Sequence, residues 1–125
     1  MSQIKIVMID DNQMICDFIK LKLENTGKFI VNYSCDGNEA CRMITKEMPD
    51  IVLLDINMPN IDGPDVATII RESPAIKHIP ILYLSSLITR DDVIRNQGVI
   101  KNRNVASKSM TIDEIITRIM EIVEK

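Results

Sequence analysis

Short apolar runs and amphipathic stretches alternate five times along this chain, and that alternation constrains its fold more than any other property. The first run, Ile4–Ile9, places five apolar residues around Lys5 and stops abruptly at Asp10 and Asp11. The third, residues 51–54, is wholly apolar and ends on Asp55. Apolar runs bounded by acids or turn residues suit strands buried on both faces, as at the centre of a parallel sheet. Residues 29–34, with β-branched and aromatic side chains, predict a second strand. Pro80 introduces a fourth at 81–84, ending at Ser85 and Ser86, and residues 105–107 predict a short fifth before Lys108.

The stretches between them read as helices. Asn12 can cap the first, because its side chain can accept an unpaired amide at the helix start. Met14, Ile15, Phe18, Ile19, Leu21 and Leu23 follow at helical spacing, with Asp17, Lys20, Lys22 and Glu24 mostly turned to water. Gly37 and Asn38 open a second helix through about Glu47 that buries Ala40, Cys41 and Ile44. A third is expected over 63–72 and a short fourth from Thr89, over by Gly98. Thr111 with Glu114 makes a capping box ahead of a broad apolar stripe from Ile112 to Val123. Over residues 98–104 no apolar period survives, and a long surface connection is expected.

Strand–helix alternation of this kind predicts an α/β domain: a doubly wound, five-stranded parallel sheet with helices on both faces. A length of 125 residues fits one such domain, spanning 1–125, with a core of its own. The carboxyl ends of strands one, three, four and five then share one edge, where open α/β sheets place their binding crevice. Those ends carry Asp10 and Asp11, Asp55, Ser85, and Lys108.

Three carboxylates at one edge repel each other unless a cation joins them. Oxygen ligands of this hardness suit Mg²⁺, with Mn²⁺ as an alternative. His78 stands alone before Ile79-Pro80 and reads as a solvated loop residue. A carboxylate beside a divalent ion can also be a nucleophile toward phosphorus. The Ser85 hydroxyl and the Lys108 ammonium would then help the metal neutralise the phosphoryl oxygens. Spacing alone does not separate this from the plainer reading, in which polar residues merely end buried strands.

The ordered set Asp10-Asp11, Asp55-Ile56-Asn57-Met58-Pro59 with Gly63, Ser85-Ser86 and Lys108 resembles the receiver domain of response regulators in two-component signalling. The likeness covers essentially the whole chain. It implies a (βα)5, flavodoxin-like fold with strand order 2-1-3-4-5. It also implies phosphoryl transfer to Asp55 from a sensor histidine kinase or a histidine phosphotransfer protein. Asp11, Asp55 and the backbone carbonyl of Asn57 would hold the metal, with Asp10 helping directly or through water. Ser85, Ser86 and the position of Val105 would carry the switch to the output face. Three departures stand out: Ser109 where the family has proline, often after a cis bond; Val105 where it has an aromatic residue; and the long 98–104 segment.

The leading expectation is a phosphorylation-activated signalling switch, not an enzyme, that changes its binding to a downstream protein or an attached output module. Two alternatives are a degenerate receiver serving as a phosphorylation-independent binding scaffold and a metal-dependent phosphatase or phosphotransferase. The net charge of -3 gives no field to gather nucleic acid. An odd set of three cysteines without a Cys-x-x-Cys pair points to free thiols in a reducing compartment. With no apolar leader and no membrane span, a cytoplasmic location is expected. A weak homodimer stays open.

Overall fold

The structure, a computed structural model, describes residues 3–56, 58 and 63–124. Four parallel strands come first: β1 (Ile4–Ile9), β2 (Phe29–Ser34), β3 (Ile51–Asp55) and β4 (Ile81–Ser85). All five residues of β3 and all five of β4 are buried, as their apolar runs predict for central strands covered on both faces. Side chains alternate across the sheet with a period of two. Val7, Val52, Leu54 and Tyr83 face one layer of helices, while Ile6, Met8, Leu53 and Leu82 face the other.

Helix α1 (Gln13–Glu24) starts where expected, with the Asn12 side chain accepting the Ile15 amide at 3.2 Å. Its buried face is narrower than its apolar spacing suggests. Cys16, Ile19 and Leu23 are buried, whereas Met14, Phe18 and Leu21 are 82%, 52% and 57% exposed. A 3₁₀ turn over Gly37–Glu39 precedes α2 (Ala40–Glu47), so the second helix begins later than Gly37. Then come α3 (Gly63–Arg71) and α4 (Arg90–Arg95), a short helix with a Thr89–Asp92 capping box. The last helix, α5 (Ile112–Val123), carries the expected Thr111–Glu114 box. No helix among the described residues is long and apolar enough to cross a membrane.

Residues 98–104 are not the surface connection expected for them. β5 (Val99–Ile100) turns back antiparallel onto β6 (Arg103–Ser107), with Val99 opposite Asn104 and Ile100 opposite Arg103. Lys101 and Asn102, at φ 51° and 63°, form the two-residue turn with both centres left-handed that hairpins favour. The sheet therefore has six strands in the order β2-β1-β3-β4-β6-β5. Its five parallel strands keep the 2-1-3-4-5 order, with β6 in the fifth place and starting two residues earlier than 105. Strands two residues long carry no readable period, and Lys-Asn is a weaker turn signal than Asn-Gly.

Arg118 of α5 fastens the hairpin. Its Nη2 donates to Gly98 O at 3.0 Å and its Nε to Val105 O at 3.5 Å, with only 12% of the side chain exposed. A Cβ at Gly98 would fall 2.6 Å from the guanidinium carbon, and the φ of +80° there also favours glycine. Hydrogen bonds from a charged donor contribute about 1.5–3 kcal/mol each, and the longer one here less. Arg118→Ala is expected to lower stability by about 2 kcal/mol in urea unfolding. Amide exchange across 98–105 should accelerate more than across β1. A loss below about 0.5 kcal/mol would show that the contact is incidental.

Candidate functional site

The register of the sheet decides which strand ends meet. Ile9 lies opposite Ser34 and Leu54, Asp55 opposite Leu84, and Ser85 opposite Ser107. Asp10 is therefore delivered directly beyond β1, its amide donating to Ser34 O at 3.2 Å. It is fully buried, and its Oδ1 accepts the Asn12 amide at 2.9 Å. Asp11 follows in an exposed position, and Asp55 ends β3 only 5% exposed. One carboxylate oxygen from each of Asp10, Asp11 and Asp55 lies within 4.8 Å of the others.

The backbone behind Asp55 is closed by Gly63, whose amide donates to Ile56 O at 2.8 Å. A Cβ at Gly63 would lie 2.3 Å from Asp55 O and 2.8 Å from the Ile56 Cα. Only a residue without a side chain lets α3 start this close to the end of β3.

Lys108 reaches the same place from β6. Its amide donates to Ser85 O at 2.9 Å, and its stem borders a cavity of about 110 Å³ lined by Ile15, Leu84, Met110 and Ile112. Its Nζ lies 2.7 Å from Asp10 Oδ2 and 3.4 Å from Asp55 Oδ1. The shorter contact is an ion pair rather than an aligned hydrogen bond, because Asp10 Oδ2 is buried without a partner that meets hydrogen-bond geometry. Burial alone would push the Lys108 ammonium down. Asp10 and then Asp55 outweigh it and hold the group above the ordinary lysine range.

Ser85 is buried at the end of β4, and its Oγ accepts the Leu87 amide at 3.0 Å. Ser86 is exposed beside it. Val105 is buried in β6 and packs in the cluster that contains Tyr83 and Val93. Asn57 lies outside the described residues. His78 is exposed in the connection before β4.

The Lys108–Ser109 peptide is trans. Two serines brace the turn: the Ser107 and Ser109 hydroxyls are 2.7 Å apart, and the Ser109 amide donates to Ser107 Oγ at 3.1 Å. Ser107 and Cys16 are the parts of this edge that sequence reasoning missed. Cys16 donates its thiol to Asp10 O at 3.5 Å. Ser107 had a signal in the Ser-x-Ser spacing of an ST turn, and Cys16 had none beyond its burial.

These residues fit a hard divalent cation. Three carboxylates converge with no imidazole or thiolate among the clustered ligand groups, and one buried oxygen lacks an aligned donor. Among the described residues, the Lys108 ammonium faces two of these carboxylates.

Comparison with known proteins agrees with this layout. The model of the response regulator receiver domain matches residues 6–120. The response regulator PleD of Caulobacter vibrioides is 32% identical over 91 residues, which are 73% of this chain and 20% of PleD. The transcriptional regulatory protein TrcR of Mycobacterium tuberculosis is 28% identical over 126 residues, 99% of this chain and 47% of TrcR. The chain thus spans less than half the length of these curated relatives. Among solved structures, the receiver domain of the Francisella response regulator 1452 superposes with a TM-score of 0.78 at 28% identity, covering 98% of each chain.

Proposed function

The chain belongs to the response regulator receiver domain family, and on that premise we propose that it is a phosphorylation-controlled switch whose phosphoacceptor is Asp55. Domains of this family are not enzymes in the classical sense. The donor is the phosphohistidine of a sensor kinase or of a histidine phosphotransfer protein. An Asp55 carboxylate oxygen attacks phosphorus, the phosphorus–nitrogen bond breaks, and the imidazole leaves with the electron pair and takes up a proton.

The observation that carries this reading is the convergence of Asp10, Asp11 and Asp55 within 4.8 Å, with the Lys108 ammonium 2.7 and 3.4 Å from two of them. Asp10, Asp11, Asp55 and the carbonyl of Asn57 would hold Mg²⁺ or Mn²⁺. Such an ion supplies neutralisation of the phosphoryl oxygens during transfer. Lys108 faces two of the carboxylates, so it can exchange a carboxylate partner for a phosphoryl oxygen with little movement. The buried Ser85 hydroxyl sits at the next strand end and donates to a second oxygen. With Val105 in place of an aromatic ring, the response passes through strand and hairpin packing instead of through a swinging ring. The output is altered binding to a downstream protein.

Incubation with Mg²⁺ and a small phosphoramidate or acyl phosphate, followed by intact-mass measurement, tests the proposal. One phosphoryl adduct is expected, absent in Asp55→Asn and absent when the metal is chelated. An unchanged mass under saturating donor sinks the switch reading and favours a binding scaffold.

A further inference from the structure

Two of the three cysteines meet at the edge of the sheet that carries the carboxylates, and neither takes part in phosphoryl transfer. The pairing of Ile9 with Ser34 and the Asp10 N–H···O Ser34 bond of 3.2 Å place Cys35, the next residue, beside the Asp10-Asp11 step. From the other side the first turn of α1 brings Cys16, with its Sγ 3.5 Å from Asp10 O. The two thiols are neighbours in space. Cys35 is exposed and Cys16 buried, so one sulfur is open to solvent and the other waits behind it. Cys41 lies apart, 3.6 Å from the Ser73 hydroxyl.

We propose that Cys35 and Cys16 form a peroxide-responsive pair that closes to an intramolecular disulfide and weakens the hold of this edge on a divalent cation. In the first step the Cys35 sulfur attacks one oxygen of hydrogen peroxide and the oxygen–oxygen bond breaks. This gives a sulfenic acid, and the departing hydroxide takes the thiol proton as one water. The Cys16 sulfur then attacks the sulfenic sulfur, and the sulfur–oxygen bond breaks. The hydroxide released combines with the Cys16 proton as a second water. The peroxide accepts two electrons, one from each cysteine.

The link to the cation rests on the metal reading of Asp10, Asp11 and Asp55. A sulfur–sulfur bond of about 2.05 Å is much shorter than any non-bonded contact between the same thiols. It also removes the S–H that holds the Asp10 carbonyl. β2 lies on the side of β1 opposite β3, so closure changes the contacts that hold the Asp10-Asp11 step from that side. Metal sites tolerate only about 0.2 Å in ligand distance, and Mg²⁺ demands near-octahedral geometry.

The full chain is treated with hydrogen peroxide in metal-free buffer, alkylated under denaturing conditions, and analysed by intact mass and non-reducing peptide mapping. Loss of two hydrogens is expected, with only Cys41 alkylated and a peptide pair joining Cys16 to Cys35 that dithiothreitol separates. Cys35→Ser, a surface change that leaves folding intact, should abolish the bond, and Cys41→Ser should not. Stable overoxidation of Cys35 with Cys16 still alkylatable, or dimers joined through Cys35, overturns the proposal. Mn²⁺ titration then compares the two forms, with binding expected to weaken about threefold or more on oxidation. Equal affinity in both forms overturns the coupling. Failure of the reduced form to bind Mn²⁺ overturns the metal reading and the coupling with it, and leaves the disulfide standing.

Discussion

Lys108→Met is expected to lower the stability of the domain by about 3–5 kcal/mol at pH 7 in metal-free buffer. Methionine keeps an apolar stem against Ile15, Leu84 and Met110, so packing changes little and the charge is what is lost. The ammonium sits 2.7 Å from a fully buried Asp10 oxygen and 3.4 Å from Asp55. Without it, the buried Asp10 carboxylate loses its ion-pair partner and must stay charged there or take up a proton. Protonating an ordinary carboxylic acid at pH 7 costs about 4 kcal/mol, which caps the loss near the same figure.

That mechanism fixes the sign of the pH dependence. Proton uptake by the folded variant becomes easier as pH falls, so the deficit should shrink by about 2–3 kcal/mol between pH 7 and pH 5. In the parent protein the relevant group is the raised Lys108 ammonium. Its contribution is fully present below the ordinary lysine range and is lost as pH rises through the higher folded value. Mg²⁺ should stabilise the variant more than the parent, since the ion substitutes for the missing charge. Urea unfolding at the two pH values, with and without Mg²⁺, measures all three. A deficit independent of pH and metal would assign the loss to packing and remove the electrostatic role.

Gly63→Ala is the second large effect, and its cause is steric. The added Cβ would stand 2.3 Å from Asp55 O and 2.8 Å from the Ile56 Cα. Both obstacles are backbone and cannot rotate away, so α3 or the end of β3 must move. The expected loss is about 3 kcal/mol, at the upper end for an added methyl group in a packed site. Mn²⁺ affinity and the phosphoryl adduct should fall with it, because the displaced atoms carry Asp55. Gly27→Ala is the contrasting case. Gly27 has φ +78° and nothing within 4 Å of a Cβ, so only left-handed strain of about 1–2 kcal/mol applies. The site should then be untouched. Equal Mn²⁺ affinities for parent and Gly63→Ala would show that Asp55 is not held from behind.

The residues that end strands were the most legible part of this chain. A buried strand needs apolar side chains on both faces, so the first polar residue after such a run marks its end, as at Asp10, Asp55 and Ser85. Capping was legible for a similar reason. An unpaired amide at a helix start needs a specific acceptor within three residues, and Asn12 and Thr111 supply it. The face of α1 was legible only in part. Met14, Phe18 and Leu21 share the apolar chemistry of Ile19 and Leu23, but the sheet covers one side of that helix only.

By itself the sequence determined the five-fold alternation, the parallel sheet and the five residues that end its strands, because each follows from local periodicity and from where apolar runs stop. The strand order came from the resemblance to receiver domains. Only the tertiary structure decided what those residues touch. The pairing of Lys108 with Asp10, the space that demands glycine at position 63, the hold of Arg118 on the hairpin and the meeting of Cys16 with Cys35 join positions that lie on different elements of the fold. Strand register and helix docking set such contacts, and a single chain's order of residues carries no periodic signal for them.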